Sequence, residues 1–174
     1  MTPRMNQIAL SVVDREVSRE FYRSLFGLPQ VGGTRFTGKV TEKVQGLPGA
    51  TSDVYWHMDD REFFQLELFQ FERPAPRACA ALRKPWDIGY SRIALEVNDP
   101  VSCHAACAQQ STPGLSPLRA IGGRPHFAVL DPSGVLLEVG PATEPLPSHV
   151  GARFAGVALS VPSLEVALRS FRDA

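Results

Sequence analysis

The chain repeats one arrangement of apolar and polar residues three times. Each copy begins with a short run of strand-forming residues, and the runs are Ile8 to Leu10, Ile93 to Leu95 and Val157 to Leu159. Six positions after the start of each run stands a residue type that caps helices: Asp14, Asp99 and Ser163. Asp and Ser side chains accept hydrogen bonds from the unpaired amides of a helix's first turn. The chain therefore contains an internal repeat that opens with a strand followed by a helix.

The helix of the first copy has an apolar stripe. Val17, Phe21, Leu25 and Phe26 recur at helical spacing, and Gly27 follows them. Glycine adopts the left-handed conformation that commonly ends a helix. The pattern predicts a helix that stops at Gly27.

Between these openings the pattern indicates strands. Thr51 to Met58 and Glu62 to Phe71 flank a polar Asp-Asp-Arg turn and predict one hairpin. Arg124 to Leu130 and Val135 to Gly140 flank Asp-Pro-Ser-Gly and predict a second. The glycine-rich segment from Leu28 to Ala50 predicts a poor strand followed by a long mobile loop, a candidate lid over a cavity.

These segments together resemble the vicinal oxygen chelate superfamily, which includes glyoxalase I, bleomycin-resistance proteins and extradiol dioxygenases. The stretches that carry the likeness are residues 7–28, 64–71, 91–100 and 127–140, and the Asp-Pro-Ser-Gly turn followed by Leu-Leu-Glu-Val is the most specific. The resemblance implies an α+β fold, in which paired βαβββ modules form a half-open, barrel-like mixed sheet around a cavity, with helices on the outer face.

The resemblance also implies a domain organisation. We expect the first βαβββ module in residues 1–80, the second in 86–142, a proline-rich linker in 143–152 and a third module that begins in 153–174. Because modules of this superfamily come in pairs, a third opening implies either a longer protein with a second pair or a tail that docks on another subunit. The alternative is a C-terminal helix of a short protein.

Charge and composition narrow the partners. The 174 residues include 18 Lys and Arg against 18 Asp and Glu, so the formal net charge is zero. A neutral chain gives no electrostatic reason to expect nucleic acid or an anionic membrane. We expect a small-molecule ligand, and the resemblance alone implies a homodimer.

Cysteine usage and the N-terminus indicate a cytoplasmic protein. Cys79, Cys103 and Cys107 are an odd number without a C-x-x-C pair, which favours a reducing compartment over a disulfide framework. The N-terminus has too short an apolar run for a signal peptide, and no stretch is long enough to span a membrane. We predict that Cys103 and Cys107, four residues apart, serve as small packing residues rather than metal ligands.

The superfamily's metal ligands map onto four residues of this chain. By the resemblance, the first-strand positions are Gln7 and Arg92, and the last-strand positions are Glu67 and Glu138. Gln7, Glu67 and Glu138 are compatible with a divalent ion such as Fe, Mn, Ni, Zn or Mg. We expect the four side chains to converge in one cavity.

Arg92 departs from the family pattern. A guanidinium has no lone pair and stays protonated, so it cannot ligate a cation and repels one placed beside it. We therefore prefer a site without a metal cofactor, in which Arg92 is the partner of Glu67 and Glu138. The third opening places Gly156 at the equivalent position, and glycine has no side chain to bind an extradiol iron.

Three functions are consistent with these residues. One is a lyase, isomerase or dioxygenase-like enzyme for a small oxygenated or aromatic metabolite, with Arg92 binding the substrate and Glu67 or Glu138 moving a proton. Another is a ligand-sequestering protein like the bleomycin-resistance proteins. The last is a non-catalytic scaffold in a longer two-pair protein.

The sequence predicts a four-residue loop in each of the two hairpins. Under that register Val54 pairs with Glu67 and Phe127 pairs with Glu138, so His57 and His126 point away from the cavity. Under the same register three further residues share the cavity face with Glu67 and are candidate substrate contacts: Trp56, Gln65 and Phe69. A plain core role for the aromatic residues is the alternative.

Overall fold

The computed structural model describes residues 5–61, 64–76 and 84–172. The first part of the chain forms β1 (Gln7–Ser11), α1 (Arg15–Phe26), β2 (Gln30–Phe36), α2 (Gly38–Gln45), β3 (Thr51–His57) and β4 (Gln65–Arg73). The second part forms β5 (Gly89–Val97), α3 (Pro100–Gln109), β6 (Arg119–Ile121), β7 (Arg124–Leu130), β8 (Leu136–Pro141), β9 (Ala152–Ser160) and α4 (Leu164–Arg172). None of the helices in these residues is long and apolar enough to cross a membrane.

The strands form two mixed sheets that share one topology. The first has the order β1-β4-β3-β2, and the second has the order β6-β7-β8-β5-β9. In each sheet the opening strand of the module lies parallel to its last strand, β1 with β4 and β5 with β8. Neither sheet closes into a barrel, and the predicted α+β class with βαβββ modules is confirmed.

The three predicted strand–helix openings are β1–α1, β5–α3 and β9–α4. Asp14 and Asp99 each accept hydrogen bonds from two first-turn amides, and Ser163 accepts one from Val166. Gly27 ends α1 in the left-handed conformation, with φ of 60°. Satisfying these otherwise unpaired amides fixes where each helix begins.

One face of each sheet lies against a helix, and these two faces share a single core. Ile8 and Leu66 of the first sheet belong to the same buried cluster as Ile93 and Leu137 of the second. Tyr22 of α1 lies fully buried within it. Because side chains alternate along strands, the intervening residues of β1, β4, β5 and β8 point to the opposite faces, away from this core.

The strand predicted in residues 28–50 is confirmed as β2, but the mobile loop predicted after it is wrong, because that part of the segment contains α2. Gly38 and Gly46, which suggested a loop, have positive φ and stand at the two ends of α2. The residues between them, Lys-Val-Thr-Glu-Lys-Val-Gln, can continue a helix once its ends are set. Gln45 fixes α2 to β3 by donating to the Ser52 hydroxyl at 3.2 Å.

The proline-rich segment before β9 is held to the second module. Asn98 donates to the carbonyl of Leu146 at 3.1 Å and accepts from the amide of Leu146 at 2.8 Å. The Leu146 side chain is buried. This anchoring brings the chain back to the edge of β5, where β9 begins.

Candidate functional site

The first pair of predicted site residues forms a closed hydrogen-bond cluster on the first sheet. Gln7 donates to Oε2 of Glu67 at 2.6 Å. Trp56 and Gln65 each donate to Oε1 of the same carboxylate at 2.9 Å. Burial raises the pKa of Glu67, and the hydrogen bonds from Trp56 and Gln7 partly offset this. Both carboxylate oxygens are therefore occupied by neutral donors.

The second pair forms an ion pair on the second sheet. Nε of Arg92 contacts Oε2 of Glu138 directly. The two side chains remain 43% and 33% exposed, so solvent and a ligand reach both. A guanidinium has five N–H donors, and the contact through Nε leaves four to receive an anionic group.

A cavity of about 400 Å³ opens over this ion pair. Its floor combines small residues with charged ones from β5, β7, β8 and β9. The lining residues that matter here are Arg92, Ala94, Glu96, Arg124, His126, Glu138, Gly140, Gly156 and Ala158. The small side chains leave a flat floor, and the charges stand around it.

The third opening completes this cavity. β9 lies antiparallel to β5, with Gly156 opposite Ala94 and Ala158 opposite Arg92. A Cβ placed on Gly156 would meet no heavy atom within 4 Å. The wall of the cavity is therefore open above Gly156, because this strand carries no side chain there.

The four residues at the expected metal-ligand positions form two separate pairs. Gln7 and Glu67 lie on the first sheet, whereas Arg92 and Glu138 lie on the second and line its cavity. The reason is topological: the edge of β5 pairs with β9 rather than with β1. The edge of β5 thus pairs with the third opening rather than with the first module.

Neither pair fits a divalent metal ion. Arg92 offers no lone pair, and its charge already neutralises Glu138. Glu67 uses both oxygens to accept N–H donors, and Gln7 is committed to it. Within the described part of the chain no group of three His, Cys, Asp or Glu side chains could hold an ion.

The two histidines near the hairpins behave differently from each other. His57 is buried and its Nδ1 lies 3.0 Å from the carbonyl oxygen of Leu28, which confirms that it faces the helix-covered side. The prediction for His126 was wrong: the partner of Glu138 is Ala128, not Phe127, and His126 lines the cavity. The loop of this hairpin has five residues rather than four, and a one-residue shift exchanges the two faces.

The predicted substrate contacts of the first sheet lie together. Trp56 is the cross-strand partner of Glu67, and the Gln65 side chain donates a hydrogen bond to the Glu67 carboxylate. The predicted partner, Val54, is instead opposite Phe69, which stacks on Phe36. The first hairpin's longer loop shifts the pairing by two residues, so the same side chains stay on the same face.

Sequence reasoning missed two residues that line the cavity of the second sheet, Glu96 and Arg124. Both follow from alternation: Glu96 is four residues from Arg92, and Arg124 is two from His126. Arg124 also donates to the carbonyl of Ala142 at 2.7 Å. Arg124 could have been found only with the correct register between β7 and β8, and the predicted four-residue loop gave the wrong register.

The cysteines of α3 pack as predicted. Cys107 is fully buried in the core, and Cys103 packs against its edge. Both are free thiols. Cys79 lies outside the described residues.

Solved structures of other proteins share the fold of this chain. The chain is similar to a glyoxalase family protein from Bacillus cereus, with 17% identity, a TM-score of 0.71, and coverage of 81% of this chain and 95% of the other. A mutant of the fosfomycin resistance protein FosX from Listeria monocytogenes, complexed with Mn(II) and a dihydroxypropylphosphonic acid, has 12% identity and a TM-score of 0.55, with coverage of 82% and 93%. An antibiotic binding protein from a Streptomyces species has 13% identity and a TM-score of 0.54, with coverage of 82% and 98%.

These likenesses establish the architecture. The chain shares the βαβββ fold of these proteins. No family model matches the sequence. No curated protein matches it either.

Proposed function

We propose that the chain binds a small oxygenated or aromatic metabolite in the cavity of the second sheet, with Arg92 receiving an anionic oxygen of that ligand. The observation that carries this proposal is the half-exposed ion pair of Arg92 and Glu138 on the cavity floor. A guanidinium held on one side by a carboxylate is fixed in place, while its remaining N–H groups are free to bind an oxyanion in bidentate fashion.

The same geometry supports proton transfer, so we infer a lyase or isomerase. Arg92 would stabilise negative charge that develops on a carbonyl oxygen, as an enolate forms. Glu138, beside it, would accept the proton from the neighbouring carbon. Dioxygenase chemistry finds less support, because the donor set at these positions does not fit a metal ion.

Sequestration without turnover is the second candidate. An antibiotic binding protein shares the fold, and a cavity lined by small residues suits a bulky or planar ligand. In that case Arg92 anchors the ligand and Glu138 only positions the guanidinium.

Ligand-induced thermal shifts test the binding proposal. Benzoate and methylphosphonate are suitable probes, because each carries one oxyanion on a small body. We expect both to raise the melting temperature of the chain, and Arg92→Met to abolish the effect. Arg23→Met is the matched control, because Arg23 is exposed on α1 and pairs only with Glu20 among the described residues. An equal shift in Arg92→Met would reject the proposal.

Deuterium exchange separates catalysis from sequestration. Phenylpyruvate carries an enolisable carbon next to its carbonyl group. An isomerase-like site should accelerate incorporation of deuterium from D2O at that carbon, and Glu138→Gln should remove the acceleration. Binding without any acceleration in the unmodified chain would favour sequestration.

Metal analysis of the purified chain tests the metal-free site. We expect no stoichiometric divalent ion after dialysis, and Arg92→His serves as the variant that restores a ligating side chain. One ion per unmodified chain would overturn the interpretation of Arg92.

A further inference from the structure

We propose that Nε2 of His126 is a second binding group of this cavity, which accepts a hydrogen bond from a hydroxyl of the ligand held by Arg92. This inference rests on the proposed binding function and deepens it, because it defines the ligand class. The ligand would be a hydroxylated aromatic acid, with its acidic group and its hydroxyl at opposite ends of the ring.

The tautomer of His126 follows from its own strand. Nδ1 of the ring lies 2.9 Å from the carbonyl oxygen of Arg124. A carbonyl oxygen can only accept, so this hydrogen bond requires the proton on Nδ1. In the neutral imidazole Nε2 then carries a lone pair and acts as an acceptor. His126 lines the cavity, which makes that lone pair available to a ligand.

The position of the ring depends on Gly140. A Cβ built on Gly140 would lie 2.5 Å from both Cδ2 and Nε2 of His126. The imidazole therefore occupies the space directly above this residue of β8. Any other residue at position 140 would displace the ring from the cavity floor.

The two residues that support the binding groups both lie on β8. Glu138 holds Arg92, and Gly140 underlies His126, two residues further along the same strand. Two residues of a strand span roughly 7 Å. A benzene ring with para substituents bridges groups separated by about this distance, and the Gly and Ala residues of the floor leave room for its flat face.

Charge at the His126 end favours a hydroxyl over a second acid. Glu96 is the partner of Gly140 across the sheet and lines the cavity on this side. Its carboxylate would repel a second anionic group of the ligand. The cation that lines this end of the cavity, Arg124, already donates to the carbonyl of Ala142, and Arg119, the cross-strand partner of His126, does not line the cavity. A neutral O–H donor suits the remaining acceptor.

Isothermal titration with three probes tests this assignment. We expect para-hydroxybenzoate to bind the unmodified chain roughly three- to tenfold more tightly than benzoate, the gain of one hydrogen bond. Ortho-hydroxybenzoate should show no such gain, because its hydroxyl stays at the Arg92 end. In His126→Phe and in Gly140→Ala the ratio of the two affinities should fall to about one. His149→Phe is the control, because His149 is exposed and does not line the cavity.

The outcomes separate the two proposals. If benzoate and para-hydroxybenzoate bind equally to the unmodified chain, or if His126→Phe keeps the ratio, the role of His126 is rejected while the Arg92 site stands. If neither probe binds, the ligand class and the binding function fail together. Nitrogen-15 NMR of the neutral ring gives an independent check, because a proton found on Nε2 of His126 would overturn the assignment without any ligand.

Discussion

Ala94 of β5 and Gly156 of β9 lie directly opposite each other in the second sheet, and both line its cavity. Gly156 occupies the place in the third copy of the repeat that Gln7 occupies in the first and Arg92 in the second. The repeat thus pairs the second copy with the third. The second copy supplies the Arg92–Glu138 ion pair of the cavity, and the third copy supplies the side of the cavity that Gly156 leaves open.

This relationship predicts that Gly156→Val blocks the cavity without weakening the fold. Nothing lies within 4 Å of the added Cβ, and a β-branched residue is more favourable than glycine in a strand. We expect the melting temperature to stay the same or rise slightly. The thermal shift caused by benzoate should disappear, because the side chain projects over the floor between Ala94 and Arg92.

A control for Gly156→Val must not strain the backbone, which excludes a glycine in a tight turn such as Gly122, with a positive φ of 58°. Ala155→Val tests the neighbouring position of the same strand, which is exposed and also borders the cavity. A graded loss of binding, larger at 156 than at 155, supports the placement. Full binding by Gly156→Val would contradict it.

Sequence alone predicted the local part of the site. The resemblance placed Gln7 and Glu67, and Arg92 and Glu138, on the first and last strands of their modules, and the structure brings each of these two pairs together. The sequence did not predict which strand lies beside β5. That choice depends on the long-range packing of the modules rather than on any local pattern.

The cavity-facing position of His126 was missed for a different physical reason. The loop before β8 has five residues, one more than predicted from the sequence. Asp131 stabilises this loop by accepting hydrogen bonds from the amides of Ser133 and Val135. Every side chain of β7 then changes face relative to Glu138. A single residue in a loop therefore decides whether a histidine belongs to the core or to the cavity.

Tyr22→Phe should destabilise the contact between the first and second modules. The Tyr22 hydroxyl donates to Oδ2 of Asp131 at 3.0 Å, and both residues are buried. Removing the donor leaves a buried carboxylate without one partner, which costs about 1–3 kcal/mol in the free energy of unfolding. Tyr55→Phe is the control, because its hydroxyl bonds Glu16 at the surface. Urea unfolding measures both, and equal small losses would contradict the prediction.

The Tyr22→Phe penalty should grow with pH. Burial raises the pKa of Asp131, and the hydrogen bond from Tyr22 opposes that rise. The stability that Asp131 contributes is therefore complete below its unfolded pKa, about 3.9, and is lost as pH rises through the higher folded value. Without Tyr22 the folded pKa rises further and the loss is larger. We expect the Tyr22→Phe penalty to increase between about pH 3 and pH 7, and a penalty that stays constant over this range would contradict the prediction.

The Arg153→Met penalty should also grow with pH, although here the folded pKa of the carboxylate is lowered rather than raised. Nε of Arg153 donates to Oδ1 of Asp60 at 2.9 Å, and the second contact of the fork joins Nη2 to Oδ2. The Arg153 hydrogen bond lowers the pKa of Asp60, so this stability is present above the unfolded pKa and is lost as pH falls through the folded value.

This pair ties β9 to the loop after β3, and both side chains are largely buried. We expect Arg153→Met to cost about 1.5–3 kcal/mol at neutral pH and much less in acid. Arg169→Met is the control, because its pair with Glu165 is exposed on α4 and is worth about 0.5 kcal/mol or less. An equal loss from both variants would show that the Arg153 fork does not hold the third copy in place.

The outer edge of β1 leads to the last prediction. The edge of β5 that faces away from β8 is covered by β9, but among the described residues no strand covers the corresponding edge of β1. We propose that two copies of the chain pair their β1 strands antiparallel about a two-fold axis, as β5 pairs with β9.

Ala9→Pro tests this pairing without disturbing the sheet itself. The Gln65 amide donates to the Asn6 carbonyl and the Val12 amide donates to the Phe69 carbonyl, so the even-numbered residues of β1 bond to β4. The amide of Ala9 therefore points to the open edge, and proline removes that donor from an edge strand where it is tolerated. We expect the unmodified chain and Ala9→Ser to sediment as dimers, and Ala9→Pro as a folded monomer with an unchanged circular dichroism spectrum. A monomeric unmodified chain, or a dimeric Ala9→Pro, would rule out β1 as the interface.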